Sequence, residues 1–214
     1  MKLTIANARS EDWFNSGIIS NGWTAPYLSW DSLIKINRST FYANVGSACA
    51  QFDYAFQQSG DSHGIDPVYL ALISMQESSC DPEAGAGTGT VGLMQVACAN
   101  FPDGVCTTDV AKNVDAGAGV LANALNNTGR NAIKTIGSYN GWFTAADGTG
   151  LNSGQGLTQG YPCSAQGIQQ GAPQNLDYLQ ETLNGFFVGQ NPQGDQSWIG
   201  TYRCQGNCNN GQLC

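Results

Sequence analysis

The chain has 214 residues, enough for one domain with modest extensions and a real hydrophobic core. Only 11% of the residues are charged and the net charge is −8. That balance excludes nucleic acid, whose phosphates call for Lys and Arg, and anionic membrane surfaces as partners, and no apolar stretch reaches membrane-spanning length.

Residues 1–45 are rich in aromatics (Trp13, Phe14, Trp23, Tyr27, Trp30, Phe41, Tyr42) without a clean period. They read as an extension packed on the domain, too short for a core of their own. The opening MKLTIANARSEDWF holds no hydrophobic run of signal-peptide length, so a secreted chain would here be in its mature form.

Helices are predicted from there on. Residues 47–59 carry Ala48, Phe52, Ala55 and Phe56 at helical spacing. The next helix starts at Asp66, a capping residue, with Pro67 in the first helical position. Its residues Val68, Leu70, Leu72, Ile73 and Met75 are apolar nearly all round, which predicts a buried central helix ended by Asp81-Pro82. A glycine-rich loop follows over 84–92, then a short helix from Leu93. Residues 109–126 place Val114, Ala118, Leu121, Ala122 and Leu125 on one face, with Gly129 as the stop. Another short helix is predicted over 131–140, a Gly-, Gln- and Ser-rich loop over 143–172, and a last helix marked by Leu176, Leu179, Leu183 and Phe186. The main domain is thus 46–188, mostly α, and residues 189–214 form a Cys-rich tail.

Eight cysteines with a single histidine read as disulfides of a secreted, extracellular protein. Cys98 and Cys106 are expected to pair across a short loop. Zinc is the alternative for the tail cluster Cys204, Cys208 and Cys214, but the paired ligand clusters of tetrahedral sites are missing. No metal and no cofactor is expected. The triplets Asn37-Arg38-Ser39 and Asn126-Asn127-Thr128 are glycosylation sequons, which also arise by chance.

Two patterns are decoys. Gly87-Thr-Gly89-Thr-Val-Gly92 matches G-x-G-x-x-G, but a helix end and a Cys-Asp-Pro turn precede it where a dinucleotide site needs a strand. His63, the one histidine, reads as a surface loop residue rather than a triad base.

Glu77 is different. It lies in the last turn of the apolar helix, where burial and the negative end of the helix dipole both favour a protonated carboxyl. A carboxylic acid that stays protonated suits a glycosidase, which must protonate a leaving oxygen. A solvated glutamate in a fraying turn is the plain alternative.

The neighbourhood decides between them. Glu77-Ser78, Pro82, Gly89-Thr90-Val91-Gly92 and Leu93-Met94-Gln95 run in order, followed by Asn113-Val-Asp-Ala-Gly117 and Ser138-Tyr139-Asn140-Gly141. Over roughly residues 65–142 this resembles glycoside hydrolase family 23, the goose-type lysozymes and soluble lytic transglycosylases, in a secreted eukaryotic-type form. The resemblance implies a lysozyme-like α-helical fold with a substrate cleft, stabilised by disulfides, and peptidoglycan glycan strands as the partner of a monomer. It makes Glu77 the acid that cleaves the β-1,4 bond after N-acetylmuramic acid. Met94 and Gln95 would line the cleft near the N-acetyl groups, Tyr139 would orient Glu77, and Asn140 would hold the cleft wall. Gln offers a donor and an acceptor to an amide-bearing sugar, while Met94 as gap filler and Tyr139 as plain core are the alternatives.

Two departures bear on the chemistry. Goose-type lysozymes have an Asp two positions after the GLMQ glutamine, and here that residue is Ala97. Many lytic transglycosylases have a Ser nine positions after the glutamate, and here that residue is Ala86. Thr88 or Thr90 would replace the Ser, and Asp103 or Asp109 are the candidates for a second carboxylate. Cys80 replaces an aromatic of the family and reads as an added disulfide. The cysteine content tilts the expectation toward a secreted muramidase that hydrolyses the bond. A lytic transglycosylase giving 1,6-anhydro products, a chitinase of the same family, and a non-catalytic wall-binding protein are the other readings.

Overall fold

The structure is a computed structural model that describes residues 11–14, 18–19, 22–23, 25–86, 89–140, 169, 177–192 and 194. Apart from Gln169, the predicted loop over 143–172 lies outside the described residues, as do nearly all of the Cys-rich tail, Leu176 and Thr88. The fold is mostly α. The chain forms two compact units, one from Met1–Ile34, Asn127–Gly185 and Asn191–Cys214, the other from Lys35–Asn126 and Phe186–Gln190. The aromatic-rich segment 1–45 is therefore divided between them.

In the first unit, α1 (Glu11–Phe14) and a two-stranded ribbon of β1 (Ile18–Ile19) and β2 (Gly22–Trp23) come first. The stretch from Pro26 to Asp31 is then zipped onto residues 130–132. The Trp30 N–H donates to the Arg130 carbonyl (2.9 Å), the Ala132 N–H donates to the Leu28 carbonyl (2.7 Å), and Arg130 pairs with Asp31. Asn131 holds this joint. Its side-chain oxygen caps the following helix through the Ile133 N–H (3.1 Å), and its amide donates to the Pro26 carbonyl (3.2 Å). The terminal helix begins at Tyr178–Gln180, where α1 also packs, and widens into a π turn over Glu181–Gly185. Leu179 and Leu183 are fully buried, as expected for the predicted last helix, and so is Phe14.

In the second unit, α2 (Arg38–Ala43) leads through a 3-10 turn (Ser47–Phe52) into α3 (Asp53–His63) and α4 (Pro67–Ser78). The stretch predicted as one helix over 47–59 thus begins as 3-10. His63 is the last residue of α3 rather than a loop residue, and its Nε2 lies 3.0 Å from Asp115. Asp66 caps α4 through the Val68 N–H (3.1 Å), and Val68 through Met75 are all buried. This is the central helix that its all-round apolar sequence predicts. It packs on α3, on the Ser47–Phe52 turn, and on a 3-10 turn at Phe186–Val188 that ends the described chain's return. Helix α5 (Val110–Asn127) buries Val114, Ala118, Leu121 and Leu125, as predicted, with Ala122 half-buried. It stops at Asn127, before two successive left-handed residues, Gly129 and Arg130.

The start of α4 is tied down from the N-terminal side. The Ile36 N–H donates to the Phe187 carbonyl (2.7 Å). Lys35 donates to Asp66 (2.7 Å) and sits 5.3 Å from the centre of the Tyr69 ring. Partial burial raises the Asp66 pKa, but the Lys35 ammonium and the Val68 N–H outweigh it and hold the carboxyl below its ordinary value. A lowered folded-state pKa contributes stability above the unfolded value and loses it as pH falls through the folded one. The two side chains are 28% and 48% exposed, so the effect is small. Lys35→Met is expected to cost about 1 kcal/mol or less in urea melts near neutral pH, with the difference from wild type shrinking as the pH falls below the ordinary carboxylate range and Asp66 is protonated. An equal difference at both pH values would contradict this account.

Candidate active site

Glu77 occupies the last turn of α4. The residues before it, through Met75, are buried, whereas Gln76, Glu77 and Ser78 are half-buried. The acid therefore sits where the helix leaves the core: partly desolvated, yet reachable by a polymer. Behind it the chain turns on two consecutive left-handed residues, Ser79 (φ 56°) and Cys80 (φ 59°). The Ser79 N–H donates to the Met75 carbonyl (3.0 Å) and the Cys80 N–H to the Ser74 carbonyl (3.2 Å). Left-handed backbone is costly for residues with a Cβ. Here it is fixed by a disulfide from Cys80 to Cys49 in the Ser47–Phe52 turn.

The glycine-rich stretch builds a β-hairpin. Strands β3 (Thr90–Val91) and β4 (Val96–Ala97) pair antiparallel with Val91 opposite Val96, so Gly92-Leu93-Met94-Gln95 is the four-residue turn between them. The helix predicted from Leu93 is absent. G-x-G-x-x-G here leads into a hairpin rather than from a strand into a helix. Gly92 begins the turn at φ 74°, where an added Cβ would lie 2.5 Å from the Asn113 side chain. Gln95 closes it at φ 46°. Its amide nitrogen donates to the carbonyls of Gly92 (2.9 Å) and Ala84 (3.0 Å), and its oxygen faces the Thr90 hydroxyl (3.3 Å). Both donors of the amide are thus used to hold the loop.

Met94, expected to line the cleft, is fully buried. It packs where Gly117 on α5 has no side chain; a Cβ there would stand 2.6 Å from its sulfur. The gap-filler alternative describes it better. Asn113, also fully buried, clamps the turn from α5. Its oxygen accepts from the Met94 N–H (3.0 Å), and its amide donates to the Val91 carbonyl (2.8 Å). The spacing of Asn113 and Gly117 is therefore a docking face, one turn of α5 that grips the hairpin and admits Met94. From α4 the grip comes from Ser78, whose hydroxyl donates to the Leu93 carbonyl (2.7 Å). In the sequence, Asn113, Gly117 and Ser78 stand out only as members of the motifs.

The remaining candidates are placed as follows. Asp103 is exposed and accepts from the Val105 N–H (2.9 Å) in its own turn. Asp109 is exposed and accepts from the Lys112 N–H (2.9 Å) at the start of α5. The predicted Cys98–Cys106 disulfide closes the loop that carries Asp103. Tyr139 is the last residue of α6 (Ala132–Tyr139) and Asn140 its C-cap, both half-buried and both in the first unit. Among the described residues no group of three His, Cys, Asp or Glu stands close enough to hold a metal ion, and none of the described helices is long and apolar enough to cross a membrane.

Residues 54–156 match the family model of the transglycosylase SLT domain. That match covers just under half of the chain, and over it the chain is similar to this domain. The chain is similar to membrane-bound lytic murein transglycosylase F of Desulfosudis oleivorans, with 23% identity over 185 residues, covering 81% of this chain and 40% of that protein. A protein of the same name from Stutzerimonas stutzeri is 31% identical over 94 residues, 44% of this chain and 19% of its own length. The chain thus spans less than half the length of either relative. Within the matched region fall Glu77, the hairpin, α5 and α6, the parts that the motifs single out.

In the second unit, then, the Glu77 carboxyl stands at the end of α4, and Ser78 beside it bonds to a turn whose Leu93 and Met94 are buried. The second carboxylates proposed from sequence each have a turn or helix start to hold.

Proposed function

We propose that the protein is a lytic transglycosylase acting on peptidoglycan. In this reading the Glu77 carboxylic acid gives its proton to the glycosidic oxygen as the C1–O bond of N-acetylmuramic acid breaks. The sugar's own 6-hydroxyl then attacks C1, and its proton returns to the Glu77 carboxylate. One 1,6-anhydro end and one free hydroxyl form, no water is consumed, and the acid is regenerated. A single carboxyl performs both proton transfers, so no second one is needed.

The observation that carries the reading is the join of the two leading motifs: Ser78, next to Glu77, is hydrogen-bonded to the turn Gly92–Gln95. The relatives' names favour the transglycosylase over the muramidase that the cysteine content suggested. Ala97 in place of an aspartate, and the structural partners of Asp103 and Asp109, support the same side. Secretion is part of the proposal, resting on the disulfides at Cys49–Cys80 and Cys98–Cys106.

The test is mass spectrometry of the soluble products from purified peptidoglycan. Fragments lighter by one water, with 1,6-anhydro ends, are expected. Reducing N-acetylmuramic ends would return the protein to the hydrolases. Release from chitin alone would change the polymer, and wall binding without any release would make it a binding protein.

A further inference from the structure

We propose that Ser78 is a positioning residue for Glu77: its hydroxyl couples the acid-bearing end of α4 to the Gly92–Gln95 turn. The inference rests on the functional reading above and adds a residue to it. A serine in the last turn of a helix ordinarily donates back to the carbonyl four residues earlier. That acceptor is present, since the Ser74 carbonyl lies 3.1 Å from the Ser78 oxygen. The Leu93 carbonyl is nearer, at 2.7 Å. A hydroxyl has one proton, and the shorter, inter-element bond takes it. The same oxygen accepts from the Asp81 N–H (3.2 Å), so Ser78 also closes the turn that follows the helix.

The consequence for Glu77 follows from what else restrains each partner. The turn is already fixed to α5, through Asn113 at the Val91 carbonyl and the Met94 N–H. Leu93 between them is fully buried, so its carbonyl would lose this bond away from water if Ser78 lacked a hydroxyl, and the local structure would shift to recover a partner. On the other side, α4 ends one residue after Glu77, and the two left-handed residues beyond it leave the last turn with few alternatives. Ser78 thus ties the acid's own helical turn to the hairpin by a side-chain hydrogen bond. A carboxyl that must meet a glycosidic oxygen at hydrogen-bond distance is sensitive to displacements of this scale.

The test compares Ser78→Ala and Ser78→Thr on soluble peptidoglycan fragments, with a carbon-13 titration of the Glu77 carboxyl in each. Ser78→Ala is expected to lose roughly tenfold to a hundredfold in kcat, the scale of a misplacement near 1 Å, with KM nearly unchanged and a displaced Glu77 titration. Ser78→Thr, which keeps the hydroxyl, restores most of the rate and the wild-type titration. Should Ser78→Ala not fold, Ser78→Val against Ser78→Thr isolates the hydroxyl at constant shape. Wild-type kcat together with an unmoved titration in the hydroxyl-free variant would overturn the proposal. If the wild type itself releases nothing from peptidoglycan, the functional reading fails, and the titration alone still decides whether Ser78 positions Glu77.

Discussion

Glu77→Gln is expected to reduce muropeptide release by a factor of about 10² to 10⁴, the usual contribution of a positioned general acid. The substitution keeps length and shape and removes only the transferable proton. Glu77 is half-buried at a helix end whose core contacts stop at Met75, so the melting temperature should barely change. Wall binding should persist, since the hairpin held by Ser78 and Asn113 is untouched. Product release and pelleting with insoluble peptidoglycan, measured side by side, check both halves. Full release by the variant would remove Glu77 from the mechanism. Loss of binding together with release would mean that the carboxylate holds substrate instead of reacting.

Why one glutamate can be singled out in a chain with so few charges is clear from α4. Asp66, Pro67 and an unbroken apolar run specify where the helix starts and that it is central. Those signals are local, and the sequence expresses them fully. The amphipathic stripe of α5 and the short helix α6 are legible for the same reason, though the cap at Asn131 is not singled out by the sequence. Cys98 and Cys106, eight residues apart, leave little choice of partner once the chain is oxidised.

The hairpin was not legible. Leu, Met and Gln are all good helix formers, and taken alone Leu93-Met94-Gln95 starts a helix. The turn wins through contacts made at a distance: Asn113 takes the Met94 N–H, Ser78 takes the Leu93 carbonyl, and Gln95 adopts left-handed backbone while its amide takes two more carbonyls. Each bond would be lost in a helix. The same long-range logic hid the burial of Met94, which depends on a missing side chain at Gly117. Motif residues that looked like substrate ligands thus have structural partners of their own within the hairpin and against α5.

The disulfide between Cys49 and Cys80 shows what a wide separation conceals and what it contributes. It joins residues 31 apart, a spacing that singles out no partner in sequence. By chain entropy such a loop is worth about 3–4 kcal/mol, against about 2–3 kcal/mol for the eight-residue Cys98–Cys106 loop. The Cys49→Ser/Cys80→Ser protein is therefore expected to unfold at lower urea than the Cys98→Ser/Cys106→Ser protein, with the first change approaching much of a typical domain's stability. Geometry points the same way. Cys80 is one of the two left-handed residues closing α4 three positions beyond Glu77, so its release lets the last helical turn fray. Activity in the Cys49→Ser/Cys80→Ser protein should then fall at temperatures below its melting point, while the shorter bridge affects only the loop after β4. Equal urea midpoints for the two double variants would show that the denatured chain is already compact between residues 49 and 80, and that the strap acts on Glu77 alone.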